Sequence, residues 1–181
     1  MLSGCMSDMF APREDPSKFY LLSCAEPAAE YSYSGDVAIS SVIIPGYLSR
    51  TQIAALNGDG TVEISEFNRW AESPERMFSR VFAREMSKHM PKASVFLYPE
   101  LPASRDGCDV RISVSECIGS LGGDLRFEAR CMYSLGGVSR AIKFSRKIPA
   151  GGTYASYVGA LSQCVAEFSA EISKEISNHK K

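Results

Sequence analysis

Cys5 is the residue whose setting points most directly to chemistry. It closes Leu2-Ser3-Gly4-Cys5, an apolar residue and two small ones before a cysteine. That is the form of a bacterial lipobox, in which the thiol is acylated and the cysteine becomes the mature N-terminus. A secretion signal needs a charged segment and an apolar segment of about 7–15 residues. The residues before Cys5 cannot supply them, so a longer precursor is expected and residues 1–5 read as a remnant of its signal. The competing reading is a chance match in a cytoplasmic protein. An acylated Cys5 places the chain in an oxidising compartment, where disulfides form. Cys24, Cys108, Cys117, Cys131 and Cys164 then remain, an odd number, so at least one thiol stays unpaired unless it bonds another chain. None of the six cysteines belongs to a C-x-x-C pair, the usual basis for a zinc ribbon or a thioredoxin-type site.

A second group of oxygen ligands is spaced as in part of a calcium loop. Asn57-x-Asp59-Gly60-x-Val62-x-x-x-Glu66-Phe67 matches the latter part of an EF-hand, including the turn glycine and the closing glutamate. The first ligand position falls on Ala55, which offers no side-chain oxygen, and the segment after Pro45-Gly46 is too short for an entering helix. A tight hairpin turn explains the same glycines, so calcium binding by residues 57–66 stands as a minor alternative. Glu63, Glu66 and Glu72 could be imagined as an acid–base pair, yet a solvated face accounts for them without any perturbed pKa. His89 falls near the end of a helix and His179 in a tail expected to fray, neither with an evident partner. G-x-S-x-G, H-E-x-x-H, P-loop and dinucleotide-binding patterns are all missing from the sequence. The reading is therefore non-enzymatic, with no catalytic residue, no resident metal and no cofactor. A formal net charge of −1 gives no general attraction to nucleic acid, and the basic run over 140–147 reads as a guarded strand edge.

The elements that must position these residues follow from periodicity. Residues 6–18 are polar and hold two prolines, which reads as a flexible tether; residues 19–178 read as a single domain, a length that can bury a sizeable core. Strands are expected over 19–23, 36–44, 52–56, 61–65 and 93–98. Asn57-Gly58-Asp59-Gly60 joins the third and fourth as a hairpin. Ser73-Pro74-Glu75 opens a helix, with Ser73 as N-cap and Pro74 at the first helical position, and Met77, Phe78, Val81, Phe82, Met86 and Met90 give it one apolar face to residue 90. Period-two alternation over 109–117, 125–133 and 138–148, separated by glycine-rich turns, predicts an antiparallel meander. Residues 153–177 form the longest helix, about 35–40 Å at ~1.5 Å per residue, enough to cover a sheet and too polar to cross a membrane.

Residues 43–75 carry the densest run that neither core packing nor solubility demands, including the only tryptophan, Trp70. Ile44-Pro45-Gly46-Tyr47-Leu48-Ser49-Arg50 and Asn68-Arg69-Trp70-Ala71-Glu72 stand out within it. With the lipobox, Phe19-Tyr20-Leu21-Leu22 and Tyr98-Pro99, the chain resembles the PqiC family, the lipoprotein component of the paraquat-inducible lipid-transport system, also described as the auxiliary lipoprotein of ABC-type transporters. The resemblance runs over nearly the whole chain from Cys5. Its specific parts are P-x-Y-L-x-R at 45–50 and N-R-W-A-E at 68–72.

The resemblance implies an α/β fold, a three-layer domain with a mixed, partly antiparallel sheet flanked by two main helices. It implies a lipoprotein of the periplasm that works beside an MCE-domain protein of the same transport system, moves lipid between inner and outer membranes and supports outer-membrane integrity. Met6 rather than Asp follows Cys5, which favours the periplasmic face of the outer membrane, reached through outer-membrane lipid and the acyl anchor. Pro45, Tyr47, Leu48, Arg50, Asn68, Arg69, Trp70 and Glu72 are the candidate partner contacts, since Trp and Arg dominate interface hot spots; for Trp70 a core position is an equal reading. A closed ring of identical subunits would suit a channel cap. The alternative function is a stand-alone periplasmic lipid-binding module.

Overall fold

The computed structural model describes residues 15–100 and 107–179. In chain order it contains β1 (Lys18–Tyr20), β2 (Asp36–Ile43), β3 (Gln52–Leu56), β4 (Val62–Trp70), α1 (Pro74–His89), β5 (Ser94–Leu97), β6 (Cys108–Gly119), β7 (Asp124–Leu135), β8 (Val138–Pro149) and α2 (Tyr154–His179). The lipobox, most of the expected tether and residues 101–106 lie outside the described residues. β1 begins at Lys18, the last residue expected in the tether.

Strict alternation builds the larger sheet, whose strand order is β5-β2-β6-β7-β8. Residues paired across strands share a face. Val110, Ile112 and Val114 on β6 oppose Tyr133, Cys131 and Ala129 on β7, and the last two oppose Ile142 and Phe144 on β8. All of these are buried. The intervening residues, Arg111, Ser113, Arg130 and Lys143 among them, are exposed on the opposite face. β2 joins parallel to both β5 and β6, so the sheet is mixed. The basic run over 140–147 falls on β8, at the sheet's edge, where cations discourage pairing with another chain.

Both helices lie against the buried face. Phe168 of α2 stacks on Phe144 with ring centroids 5.0 Å apart and meets Phe127 at 6.4 Å and Phe82 of α1 at 6.0 Å. Its ring thus joins both helices to two strands. Ser162, Ser169 and Ser173 are buried on α2 and donate to the carbonyls of Val158, Val165 and Ser169 at 2.7–2.8 Å. Those bonds satisfy the hydroxyls within the helix, so an interrupted apolar stripe still packs. α1 has Pro74 in its first turn as expected, but Ser73 makes no side-chain cap bond; its hydroxyl donates to Glu75 Oε2 at 2.6 Å.

The remaining strands form a second, three-stranded sheet of order β1-β4-β3. The α/β architecture with mixed, partly antiparallel sheets and two main helices is as expected, with its strands divided between two sheets. β4 runs to Trp70 rather than stopping at residue 65, because its register slips between the Gln52 and Ala54 pairs and Ser65 Oγ accepts the Asn68 backbone N–H at 3.0 Å within the irregularity. β1 covers only three residues, since Phe19 and Leu21 face solvent and Leu22 alone of its apolar run turns fully inward.

Both histidines have partners that sequence reading missed. His89 is buried, donates from Nδ1 to the Ala29 carbonyl at 2.8 Å and packs against Tyr31. His179 ends α2 within 3.4 Å of the Tyr133 hydroxyl, so the helix is still formed at a residue expected to fray. In both cases the partner lies far away in sequence.

Phe168→Ala removes the ring common to both helices and two strands, and such truncations typically cost about 3–5 kcal/mol. Urea denaturation followed by circular dichroism will show the midpoint falling by a corresponding amount with an unchanged slope.

Candidate functional site

The two motif segments meet in space. After β2 the chain turns at Pro45-Gly46, where the Leu48 N–H donates to the Pro45 carbonyl at 2.9 Å and the Ser49 N–H to the Gly46 carbonyl at 3.2 Å. The turn drives Leu48 into the core, 2% exposed, and leaves Arg50 outside. Thr51 then accepts the Trp70 N–H at 2.7 Å, and Ala71 donates to the Tyr20 carbonyl at 2.9 Å. Residues 45–51, the end of β4 and β1 are therefore bound into one corner. Gln52 pairs with Arg69, and Phe19 and Tyr20 pair with Arg69 and Trp70.

Each member of N-R-W-A-E has a distinct task there. Asn68 accepts from the Tyr20 hydroxyl at 2.9 Å and donates to Ser65 Oγ at 2.9 Å, which locks β1 onto β4. Arg69 is half-buried, with Nη2 reaching the Glu66 carbonyl at 3.4 Å and its Nε left without an acceptor. Trp70 is 3% exposed and belongs to the main core; its indole N–H finds no acceptor among the described residues. Glu72 forms an ion pair with Arg80, one to two turns into α1. Glu75 beside it is held below its usual pKa by hydrogen bonds from the Ser49 and Ser73 hydroxyls, which ties the 45–50 turn to the first turn of the helix.

Of the eight candidate contacts, Leu48 and Trp70 sit in the core and Asn68 is committed to internal hydrogen bonds. Tyr47 is half-buried and its hydroxyl accepts the Cys117 N–H at 2.8 Å, while burial pushes its pKa upward. Pro45, Arg50, Arg69 and Glu72 keep solvent-facing surface. A groove of about 480 Å³ opens next to Glu72, between Arg76 and Arg80 of α1, Ser41 and Val42 of β2, and Tyr98 just after β5. The sequence reading did not find it; the available signal was Glu72, Arg76 and Arg80 at helical spacing, which aligns one charged stripe.

The calcium reading does not survive the geometry of residues 57–66. They close as a hairpin: Asp59 Oδ1 accepts both the Thr61 N–H at 2.9 Å and its hydroxyl at 2.7 Å, Gly60 takes φ 84°, and Ala55 and Glu66 lie on extended strands. Glu63 and Glu66 are exposed. Cys24, Cys108, Cys117, Cys131 and Cys164 are all free thiols, so no disulfide staples the described residues. Burial raises the pKa of Cys108, Cys131 and Cys164 to about 12 and that of Cys117 well above its ordinary value. These thiols are protonated at neutral pH and act as small apolar side chains. Glu85, which the sequence did not flag, is fully buried and accepts the Ala25 N–H at 2.6 Å. What the corner can do chemically is present a fixed pattern of cation, carboxylate and apolar surface to another molecule.

Comparison with known proteins agrees with this architecture. The family described as the ABC-type transport auxiliary lipoprotein component matches residues 20–173. No curated protein matches the chain. Among solved structures, an uncharacterized protein is 19% identical, with a TM-score of 0.74 over 88% of this chain and 98% of its own. A protein from Xanthomonas campestris is 13% identical, with a TM-score of 0.63 over 90% and 98% of the two chains. Identities this low establish likeness of fold alone.

Thiol labelling checks the burial. In a Cys5→Ala protein at neutral pH, a maleimide will modify half-buried Cys24 well before the other thiols, which react only after denaturation. Peptide mass spectrometry showing rapid native labelling of Cys117 or Cys164 would contradict the packing of α2 on the five-stranded sheet.

Proposed function

Since the chain belongs to the family of ABC-type transport auxiliary lipoprotein components, we propose that it is a non-enzymatic, lipid-anchored adaptor on the periplasmic face of the outer membrane. Cys5 carries the anchor. Its partner is the MCE-domain protein of an ABC-linked lipid transport system, and the work it supports is movement of lipid between the two membranes and maintenance of the outer one. The observation that carries this reading is the family match over 20–173, together with the joining of its two distinctive motifs at one corner. A single acyl chain binds membranes only marginally, so the several chains of a bacterial lipoprotein matter to stable anchoring.

Pro45, Tyr47, Arg50, Arg69 and Glu72 form the partner surface in this reading, and Leu48, Asn68 and Trp70 hold it in place. Trp70 is then required for the surface without touching the partner. Copies of the chain arranged as a closed ring would repeat that surface around a channel mouth. The second reading, a lipid-binding module, has one feature in its favour. A cleft of about 320 Å³ runs between α2 and residues 23–28, lined mainly by small side chains such as Ala25, Ala28, Gly159 and Ala166. Native mass spectrometry separates the two: copurified lipid at one per chain supports the module, and lipid-free protein supports the adaptor.

The anchor is tested by fractionating the envelope with a high-salt wash. Wild type stays with the outer membrane, and Cys5→Ala is recovered in the soluble periplasm. If the variant resisted the wash as wild type does, Cys5 would not be the anchor.

A further inference from the structure

The two faces of the small sheet are not alike, and register assigns each side chain to one of them. Tyr20 and Trp70 are paired and point toward the core. Phe19, Arg69 and Gln52 stand abreast on the other face. Farther along, Ile64 opposes Ala54 and Val62 opposes Leu56, and the register slip between Gln52 and Ala54 keeps both ends of β4 on that same outer face. Two-residue spacing adds Leu21 beyond Phe19 and Phe67 before Arg69.

The result is an apolar face that, apart from buried Ala54, the described residues leave largely open. Phe19 is 62% exposed, Leu21 51%, Val62 48%, Phe67 42% and Ile64 37%. These make up half of the large apolar side chains that are exposed among the described residues. A concentration of this kind marks an interaction surface, whereas scattered apolar residues do not. The register places Arg69 on this face beside Phe19 and Glu63 on the alternate side, opposite Ala55, while exposed Glu66 lies within the slip. Lys18 and exposed Arg50 stand at its rim.

We propose that this face of the three-stranded sheet seats on the surface of an anionic lipid bilayer, with Phe19, Leu21 and Phe67 entering the interfacial region and exposed Lys18 at the sheet edge meeting lipid phosphates. The inference rests on the anchor reading in one respect, the position of β1. Residues 6–17 reach at most about 40 Å when fully extended, so an acylated Cys5 keeps β1, which carries Phe19 with Leu21 just beyond it, within that distance of the membrane. Aromatic and aliphatic side chains with flanking cations are the composition that binds membrane interfaces. With the face seated, the partner corner containing Arg50 and Glu72 lies beside the bilayer. The protein is then oriented as well as tethered.

The test uses the full chain as Cys5→Ala, so that no acyl group contributes, and vesicles of phosphatidylethanolamine and phosphatidylglycerol at about 3:1. The protein will cosediment weakly with the vesicles at low salt. F19E/F67E will lower the bound fraction by about tenfold or more, as expected when apolar side chains become carboxylates facing a negative surface. Met132→Glu, on the solvent-facing side of the large sheet, will leave binding unchanged and serves as the folded control. No cosedimentation, or binding that F19E/F67E does not reduce, overturns the proposal. So does light scattering that shows a dimer dissolved by F19E/F67E without any vesicle binding, because a second copy would then cover the face. The anchor reading fails separately, if Cys5 proves unacylated in protein purified from the envelope.

Discussion

The structure depends on keeping one face of the five-stranded sheet out of water. Strands β6, β7 and β8 present apolar side chains in register on that face alone, and burial of each is worth about 1.5–3 kcal/mol relative to exposure. A single helix cannot cover so wide a surface. α2 lies over β7 and β8, α1 lies over β2 and β5, and the aromatic rings around Phe168 fill the seam between the helices. Once the helices are placed, the ends of both are fixed, and the smaller sheet forms where they leave room.

Tyr157 carries that constraint across the molecule. Its hydroxyl donates to the Ala54 carbonyl at 3.2 Å and accepts the Gly119 N–H at 3.2 Å, so one side chain at the start of α2 joins β3 to the end of β6. Gly119 must be glycine at this point, because a Cβ would lie 2.3 Å from the Asp124 carbonyl oxygen. At the other helix, Met77 packs in the same core as Trp70. The corner that presents Arg50, Arg69 and Glu72 is tied to the start of α1, where Glu72 pairs with Arg80 and the Ser49 hydroxyl meets Glu75, although no residue of it lies in a regular helix. A surface built in this way is held by hydrogen bonds and packing with no disulfide among the described residues, and it leaves the outer face of the small sheet open to a different contact.

The parts of the fold legible in the sequence were those set by local periodicity. Alternation located the meander, apolar residues three and four apart located both helices, and Asn57-Gly58-Asp59-Gly60 located the hairpin. What local pattern could not show was anything decided by distant partners. β4 continues to Trp70 because Ser65 and Asn68 stabilise a register slip, an arrangement without periodic signature. His89 finds Ala29 and Glu85 finds Ala25 only once residues 24–31 cross α1. Trp70 could equally have been core or contact; burial in a core shared with Met77 and Leu22 decided it, and left Arg50 exposed with Pro45, Arg69 and Glu72 partly so. The exposed face of the small sheet was hidden for the same reason, since Phe19 and Leu21 belong to an apolar run that reads as buried until strand pairing shows which side is open.

The central claim, that the corner joining the two motifs contacts a transport partner, is tested most directly by site-specific photocrosslinking in the native envelope. The full-length, lipidated protein would carry a photoreactive residue at Arg50, with Ser115 on the open face of the large sheet as the reference position. The account predicts an adduct with an MCE-domain protein of an ABC-linked transporter from position 50 and none from position 115. The same adduct from both positions, or only lipid adducts from position 50, would contradict it.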